Sequence, residues 1–286
     1  MVMVTTDVVK LAGALSPGEG GVPVAPVLHA NQAMAWLIHV AAYGGFAAAL
    51  GWALWRLARR REVLPLVLVI AGTVAANIEP LGDFVGAIVY ANDIPWFGYT
   101  VMGHRMPAFI LVGASTYVAF GGYLAYRYLQ NGRSLRDIFV LSAVYVGIPE
   151  IVLEMAWHHF GIIAYYGDNP TRVLGIPLYS IVQNTTLLPV YGVVIYFAAK
   201  YLTGARIWWL VLFIPATTIG YIVGVSWPAY QAVQSSAPAP VVWAAAAMVI
   251  ATSISATYAL LQIPELRQLR DEHARGRHGV LSVSGV

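Results

Sequence analysis

The chain has 286 residues, of which 59% are hydrophobic and only 10% are Asp, Glu, Lys or Arg. Soluble globular proteins carry about 25% charged residues, so this chain has too little charge to cover a water-facing surface. Its 12% aromatic content excludes a disordered chain. The absence of cysteine excludes disulfides, thiolate catalysis, Fe–S clusters and Cys-ligated zinc. The composition therefore indicates an integral membrane protein.

Seven stretches are long and apolar enough to span a bilayer as helices, which takes about 20 residues each. They predict an all-α membrane protein in which residues 33–263 form a single bundle of seven transmembrane helices. Residues 1–32 are expected to form an extracytoplasmic tail. Residues 264–286 are expected to form a cytoplasmic tail that is solvated and disordered from Asp271 onward. In chain order the predicted spans are 33–57, 63–91 (with a break), 106–129, 138–162, 174–202, 207–230 and 241–263.

Every second connecting segment is basic. By the positive-inside rule, the N-terminus then lies outside and the C-terminus in the cytoplasm, as expected for a multi-pass protein of the cell membrane. The basic residues behind the net charge of +3 are thus interpreted as topology signals in the connecting segments, and no nucleic-acid partner is predicted. The basic residues that follow spans one, three, five and seven are Arg56, Arg59, Arg60, Arg61; Arg127, Arg133, Arg136; Lys200, Arg206; and Arg267, Arg270, Arg275, Arg277.

Acidic residues interrupt two of the spans. Glu79 and Asp83 lie in span two, and Glu150 and Glu154 lie in span four. A charged group inside a bilayer costs roughly 2.5–3.5 kcal/mol and usually faces the bundle interior or a cavity. The spacing of four places each pair on one helical face, where like charges repel. We therefore expect one acid of a pair to stay protonated beside an ionised one, as general acid–base catalysis requires.

Two prolines adjoin these acids. Pro80 follows Glu79 and Pro149 precedes Glu150. Proline removes a backbone N–H and opens the helix locally, so the pattern indicates a cavity beside the acids. The alternative is that the prolines are ordinary kinks and that the acids pair with His or Asn to hold helices together.

Further polar and aromatic residues are predicted at the same level or at the outer edge of the membrane. Span five carries adjacent Gln183 and Asn184, of which at least one must face the bundle. An electrostatic role is favoured for the adjacent His104 and Arg105, although arginine here could also meet lipid phosphate. We expect the substrate to be bound by Asn77, His104, Arg105, Trp157, Tyr165, Asp168 and Asn184.

The sequence contains no nucleotide-binding loop, serine nucleophile elbow or dinucleotide fingerprint. Size, seven predicted spans and acids on spans two and four resemble the small integral-membrane terpene cyclases of meroterpenoid pathways. The string Gly161, Tyr165-Tyr166-Gly167 and Gly175-Ile176-Pro177-Leu178 is similar to segments of membrane carotenoid hydratases. The resemblance covers spans two to five. It implies that acids protonate an alkene or epoxide, and that aromatic side chains shelter the cation until water or proton loss ends the reaction.

We therefore expect a cofactor-free membrane enzyme that cyclises, isomerises or hydrates an isoprenoid or another lipid-soluble alkene or epoxide. Glu150 and Glu154 would be the acid and its partner, and Glu79 and Asp83 the second pair. Asn184 and His104 would be the hydrogen-bond donors that poise them. The expected partners are the lipid-soluble substrate and membrane lipid. No metal site is assigned, and the oligomeric state is left open.

Three other functions fit the same residues. A proton-coupled transporter would use the acids as proton carriers, although no internal repeat supports that plan. A purely structural subunit is another possibility, and the buried acids weigh against it. A metal-dependent membrane oxidase would bind its ion through Glu79, Asp83, Glu150, Glu154 and His158.

Overall fold

The computed structural model describes residues 23–101 and 103–283, and it is mostly helical. Six helices in this part of the chain are long and apolar enough to cross a membrane. This confirms a helical membrane protein. The six candidate spans are Gln32–Arg60, Leu64–Gly86, Leu135–His159, Leu178–Tyr201, Gly204–Gln234 and Ala239–Leu261.

Eleven α-helices follow one another along the described residues. They are α1 (Gln32–Arg60), α2 (Leu64–Ala76), α3 (Glu79–Gly86), α4 (Ile110–Thr116), α5 (Tyr123–Gln130), α6 (Leu135–Ser142), α7 (Ile148–His159), α8 (Leu178–Tyr201), α9 (Leu210–Gln234), α10 (Ala239–Leu261) and α11 (Pro264–Val283). A π-helix, Tyr117–Gly122, joins α4 to α5, and a second, Ala143–Gly147, joins α6 to α7. A short 3-10 helix, Gly204–Trp209, precedes α9.

Three pairs of short antiparallel strands lie in the connecting segments, and the sequence analysis missed them. The strands are β1 (Ile88–Tyr90), β2 (Phe97–Val101), β3 (His104–Pro107), β4 (Ile163–Tyr165), β5 (Arg172–Val173) and β6 (Ile176–Pro177). β2 pairs with β3 and β5 with β6. The pair β1–β4 matters most for the site, because it aligns Ile88 with Tyr165 and Tyr90 with Ile163. It thus joins the end of α3 to the segment after α7.

The predicted break in span two is confirmed. α2 ends at Ala76, a turn covers Asn77 and Ile78, and α3 begins at Glu79. Pro80 lies in the first turn of α3, where its missing N–H needs no helical partner. The break sets Glu79 at the start of a new helix within the bundle.

The helices α2 and α8 form the centre of the bundle. In the candidate span Leu64–Gly86, formed by α2 and α3, 56% of the most apolar stretch is buried, and in α8 61% is buried. The value is 22% in each of the other four candidate spans. α2 packs against α1, α4 and α9, whereas α8 packs against α5, α9 and α10. The largest apolar cluster includes Leu68 of α2, Ile195 of α8 and Ile214 of α9. These two central helices therefore set the position of everything that faces them.

Small residues allow close approach where the central helices cross their neighbours. A Cβ added at Gly72 of α2 would lie 2.7 Å from the Ala114 carbonyl oxygen and 2.7 Å from the Ser115 Cα of α4. A Cβ at Gly192 of α8 would lie 2.9 Å from the Ala125 Cβ of α5. Such contacts are the usual means by which helices associate in a bilayer, where packing replaces the hydrophobic effect.

Polar contacts tie the ends of the bundle together. Glu62, which follows α1, accepts hydrogen bonds from Arg56 and from the Tyr123 hydroxyl. At the strand-bearing end, the Ala30 backbone N–H donates to Asp93 at 2.8 Å, and this bond lowers the pKa of the Asp93 carboxyl. Helix α11 is held to α8 by Glu265, which accepts from Lys200 Nζ at 2.6 Å. The sequence predicts disorder from Asp271 onward; that expectation is wrong for residues 271–283, which continue the helix.

Replacing Gly72 by alanine is expected to destabilise the protein. The added methyl group has no room between α2 and α4, and overpacking of this kind costs about 1–3 kcal/mol. The matched control is Gly44→Ala in α1, where nothing lies within 4 Å of the added Cβ. Thermal unfolding of the purified variants should show a lower midpoint for Gly72→Ala only. An unchanged or raised midpoint for Gly72→Ala would contradict the described α2–α4 contact.

Candidate functional site

A cavity of about 410 Å³ lies among α1, α3, α4, α7, α8 and α9, beneath the strand pair β1–β4. A second cavity of about 220 Å³ adjoins it. Both cavities are mostly apolar, with a limited set of polar groups, which is the usual composition of a small-molecule site. The residues that border both are Ala76, Glu79, Ala114, Tyr117, Asn184 and Ile222.

The four intramembrane acids converge on this pair of cavities. Glu79, Asp83 and Glu154 line the larger cavity, and Glu150 lines the smaller one with Glu79. Helical spacing of four residues predicts that each pair shares a face, and the structure brings the two faces together. Glu79 is enclosed by helices yet keeps accessible surface, because it borders both cavities. No Lys, Arg or His is among the described residues that line either cavity.

Three of the four carboxyl groups have a hydrogen-bond donor. Glu150 accepts from the Asn184 side-chain amide. Glu154 accepts from the Tyr165 hydroxyl at 2.9 Å. Glu79 has a longer contact, 3.5 Å, with the Tyr90 hydroxyl. Two acids are therefore firmly anchored and a third is weakly held.

Asp83 differs from the other three acids. Its residue surface is only 1% exposed, and neither carboxyl oxygen has a hydrogen-bond partner within the described part of the chain. A buried polar group without a partner is rare in native structures and calls for an explanation. Asp83 is the one wall carboxyl left without a donor.

The strand pair β1–β4 supplies two of these donors. Tyr90 ends β1 and Tyr165 ends β4, and their registers set both hydroxyls above the acids. Tyr165 also lies 3.3 Å from the Ser180 hydroxyl at the start of α8. A phenol inside an apolar bundle needs such a partner, so the two tyrosines fix the position of the strands relative to the helices.

A chain of neutral polar groups continues behind Asn184. The Gln183 amide donates to the Asn184 side-chain oxygen at 3.4 Å, and the Ser226 hydroxyl donates to Gln183 Oε1 at 2.6 Å. The sequence predicts that at least one of Gln183 and Asn184 faces the bundle, and both border the larger cavity. This chain orients Asn184, which in turn orients Glu150.

Aromatic rings form much of the remaining wall. Trp157 packs edge-on against Phe109, with ring centroids 5.5 Å apart, and Phe109 packs against Tyr90 at 6.1 Å. Tyr117 borders both cavities, and its hydroxyl donates to the Asn184 carbonyl oxygen at 3.4 Å. Sequence reasoning missed Tyr90, Phe109 and Tyr117. The sequence signal for Tyr90 and Tyr117 is a tyrosine within an apolar span, because its hydroxyl must find a partner there.

Four predicted substrate-binding residues lie away from both cavities. Asn77 donates to the Thr73 carbonyl oxygen, Arg105 donates to the Asn92 carbonyl oxygen, and Asp168 is exposed in the loop after β4. The His104 ring packs on Phe84, and partial burial lowers the pKa of its imidazole. The structure thus gives no support for a role of these four residues in substrate binding, or for His104 as a donor to the acids. Trp157, Tyr165 and Asn184 do line the larger cavity.

The metal-site alternative has no geometrical support. Among residues 23–101 and 103–283, no three His, Asp or Glu side chains are placed to hold a metal ion. His158, the histidine of that alternative, is exposed, and its ring lies against Gly175. A Cβ added at Gly175 would be 2.1 Å from the ring.

Comparisons with protein-family models, curated proteins and solved structures found no match.

The Glu150–Asn184 pair is expected to show strong energetic coupling. Leaving a buried acceptor without its donor costs about 1–3 kcal/mol, so Asn184→Leu should lower the unfolding midpoint. In the background Glu150→Leu the same change should cost less, because the acceptor is gone. A double-mutant cycle on thermal or denaturant unfolding should give a coupling of about 0.5–3 kcal/mol. Additive effects would show that the bond does not contribute.

Proposed function

We propose that this protein is a membrane enzyme that transfers a proton to an isoprenoid or another lipid-soluble alkene or epoxide. The reaction then continues by cyclisation, isomerisation or hydration. The observation that carries the proposal is the convergence of Glu79, Asp83, Glu150 and Glu154 on an aromatic-walled space within the bundle. The resemblance to membrane terpene cyclases and carotenoid hydratases points to the same chemistry.

The proposed reaction needs only carboxyl groups and an enclosed wall. The O–H of one carboxylic acid adds its proton to an alkene carbon, or to an epoxide oxygen whose C–O bond then breaks to give a hydroxyl group. Either route leaves a carboxylate and a carbocation. Aromatic faces stabilise the cation while it rearranges. A second carboxylate then removes a proton from the neighbouring carbon, or from a water molecule that adds to the cation. Two acids in different surroundings suit this division of roles.

The walls of the site favour a substrate that arrives from the bilayer. None of the residues of α7 is buried, and Leu153, which lines the larger cavity, is half-exposed. On the opposite wall, Gly113 of α4 has open space where a side chain would be. Only a thin wall therefore separates the site from lipid beside α7.

Neutralising the acids is expected to abolish turnover with little loss of fold. General acid–base groups contribute about 10²–10⁴-fold to a rate, so Glu150→Gln, Glu79→Gln and Asp83→Asn should each slow product formation by at least the lower factor. The measurement is mass spectrometry of products after membranes with wild type or variant are incubated with candidate prenyl alkenes and epoxides. The matched control is Asp271→Asn on the exposed part of α11. Unchanged product formation in all three variants would remove the proposed roles.

We also propose seven spans, with the N-terminus outside and the C-terminus in the cytoplasm. The seventh span would be the continuous helical run formed by α4, the π-helix Tyr117–Gly122 and α5, which is less apolar than the other six. It packs against α2 and α8 like a span. The alternation of basic segments supports the orientation.

The absence of native cysteine makes this topology easy to test. Single cysteines would be placed at two exposed positions, Thr100 in β2 and Asn131 after α5. We expect a membrane-impermeant maleimide to label Thr100→Cys on intact cells, and Asn131→Cys only after the membrane is permeabilised. Labelling of both on intact cells would rule out the seventh span.

A further inference from the structure

The charges around the larger cavity do not balance. Glu79, Asp83 and Glu154 line it and Glu150 lies in the adjoining cavity, whereas none of the described lining residues is basic. Tyrosine hydroxyls and the Asn184 amide compensate the acids only in part, because they are neutral donors. A carboxylate in an apolar setting requires a counter-charge or a proton. When one of these acids is ionised, no described lining residue supplies its counter-charge, so a bound ligand can supply it.

Asp83 points to a ligand independently of this imbalance. It is 1% exposed, it lines the larger cavity, and both its carboxyl oxygens lack partners in the described part of the chain. Its neighbour on the same helical face, Glu79, at least contacts a tyrosine hydroxyl. Asp83 therefore brings to the cavity wall two buried acceptor oxygens that no described residue satisfies.

The apolar residues that line the cavity together with the acids suit an apolar cation. Trp157, Phe109 and Tyr117 border the larger cavity together with Ile110 and Leu153. Aromatic faces attract cations, most strongly when the cation is desolvated. Aliphatic side chains offer nothing to a hydrated inorganic ion. The apolar residues of this wall therefore suit a ligand that carries an apolar chain.

We propose that the larger cavity is a binding site for a lipophilic organic cation, in which a positive centre lies against Asp83 and the aromatic wall holds the attached apolar chain. The inference deepens the proposed function and rests on it, because the carbocation formed by protonation is such a centre. A stable ammonium compound of the same shape mimics that intermediate, and sites built for a transient species bind its stable mimics tightly.

The test measures binding of decyltrimethylammonium to the full-length protein in phosphatidylcholine nanodiscs, with binding to empty nanodiscs subtracted. The comparison compound is the neutral isostere in which carbon replaces the quaternary nitrogen. We expect saturable binding of the cation to wild type and at least tenfold weaker binding of the neutral compound. That factor corresponds to about 1.4 kcal/mol.

Two variants locate the site. Asp83→Asn should weaken binding of the cation at least tenfold, and Asp83→Glu should restore much of it, since the charge returns. The control Asp271→Asn should bind like wild type. Unfolding midpoints of each variant separate loss of binding from loss of fold. Equal binding of the neutral compound, no saturable binding of the cation to wild type, or no effect of Asp83→Asn in a folded protein would overturn the proposal.

The two proposals fail in distinguishable ways. If the ammonium compound binds at Asp83 but no alkene or epoxide is converted, the cation site stands and the enzymatic proposal falls. If product forms and the ammonium compound does not bind, the carbocation is stabilised elsewhere and only this inference is overturned.

Discussion

A carboxyl group that leaves water loses strong hydrogen bonds, and inside a bilayer no solvent replaces them. Four such groups surround one connected space in this protein, and no described residue on its walls is basic. The surroundings of each acid follow from that constraint. The Asn184 amide donates a hydrogen bond to Glu150, and the Tyr165 hydroxyl donates one to Glu154. Neither carboxyl oxygen of Asp83 has a hydrogen-bond partner among the described residues.

The bundle has a tightly packed centre, formed by α2 and α8, and a thin wall formed by α7. The central helices α2 and α8 are tightly packed, with glycines at their closest crossings, and they hold Asn184 and the start of α3 in place. Helix α7 carries the other two acids on an unburied helix at the edge of the bundle. It is located by β4 and β6, which pack against it, and by the Tyr165 hydroxyl bond. Tightly packed helices α2 and α8 on one side and the unburied helix α7 on the other suit a site that admits molecules from lipid.

Hydrophobic run length predicts the helical membrane class, and helical periodicity predicts that Glu79 and Asp83 share a face, because both depend on local spacing. The partners of the acids depend on distant segments. Tyr90 and Tyr165 reach them only because β1 pairs with β4, a contact between strands of three residues that no hydrophobic pattern reveals. The same limit explains the residues misplaced by sequence. His104 precedes a span, like many site residues, yet its ring packs on Phe84 and it lines neither cavity.

The central proposal is that acids within the bundle face a space that lipid-soluble molecules enter from the bilayer. Carbodiimides test it directly, because they modify protonated carboxyl groups and exist in lipid-soluble and water-soluble forms. With peptide mapping by mass spectrometry, we expect dicyclohexylcarbodiimide to modify Asp83 in native membranes. A water-soluble carbodiimide should modify only exposed acids such as Asp168 and Asp271. Modification of Asp83 by the water-soluble reagent, or none by the lipid-soluble one, would contradict the account.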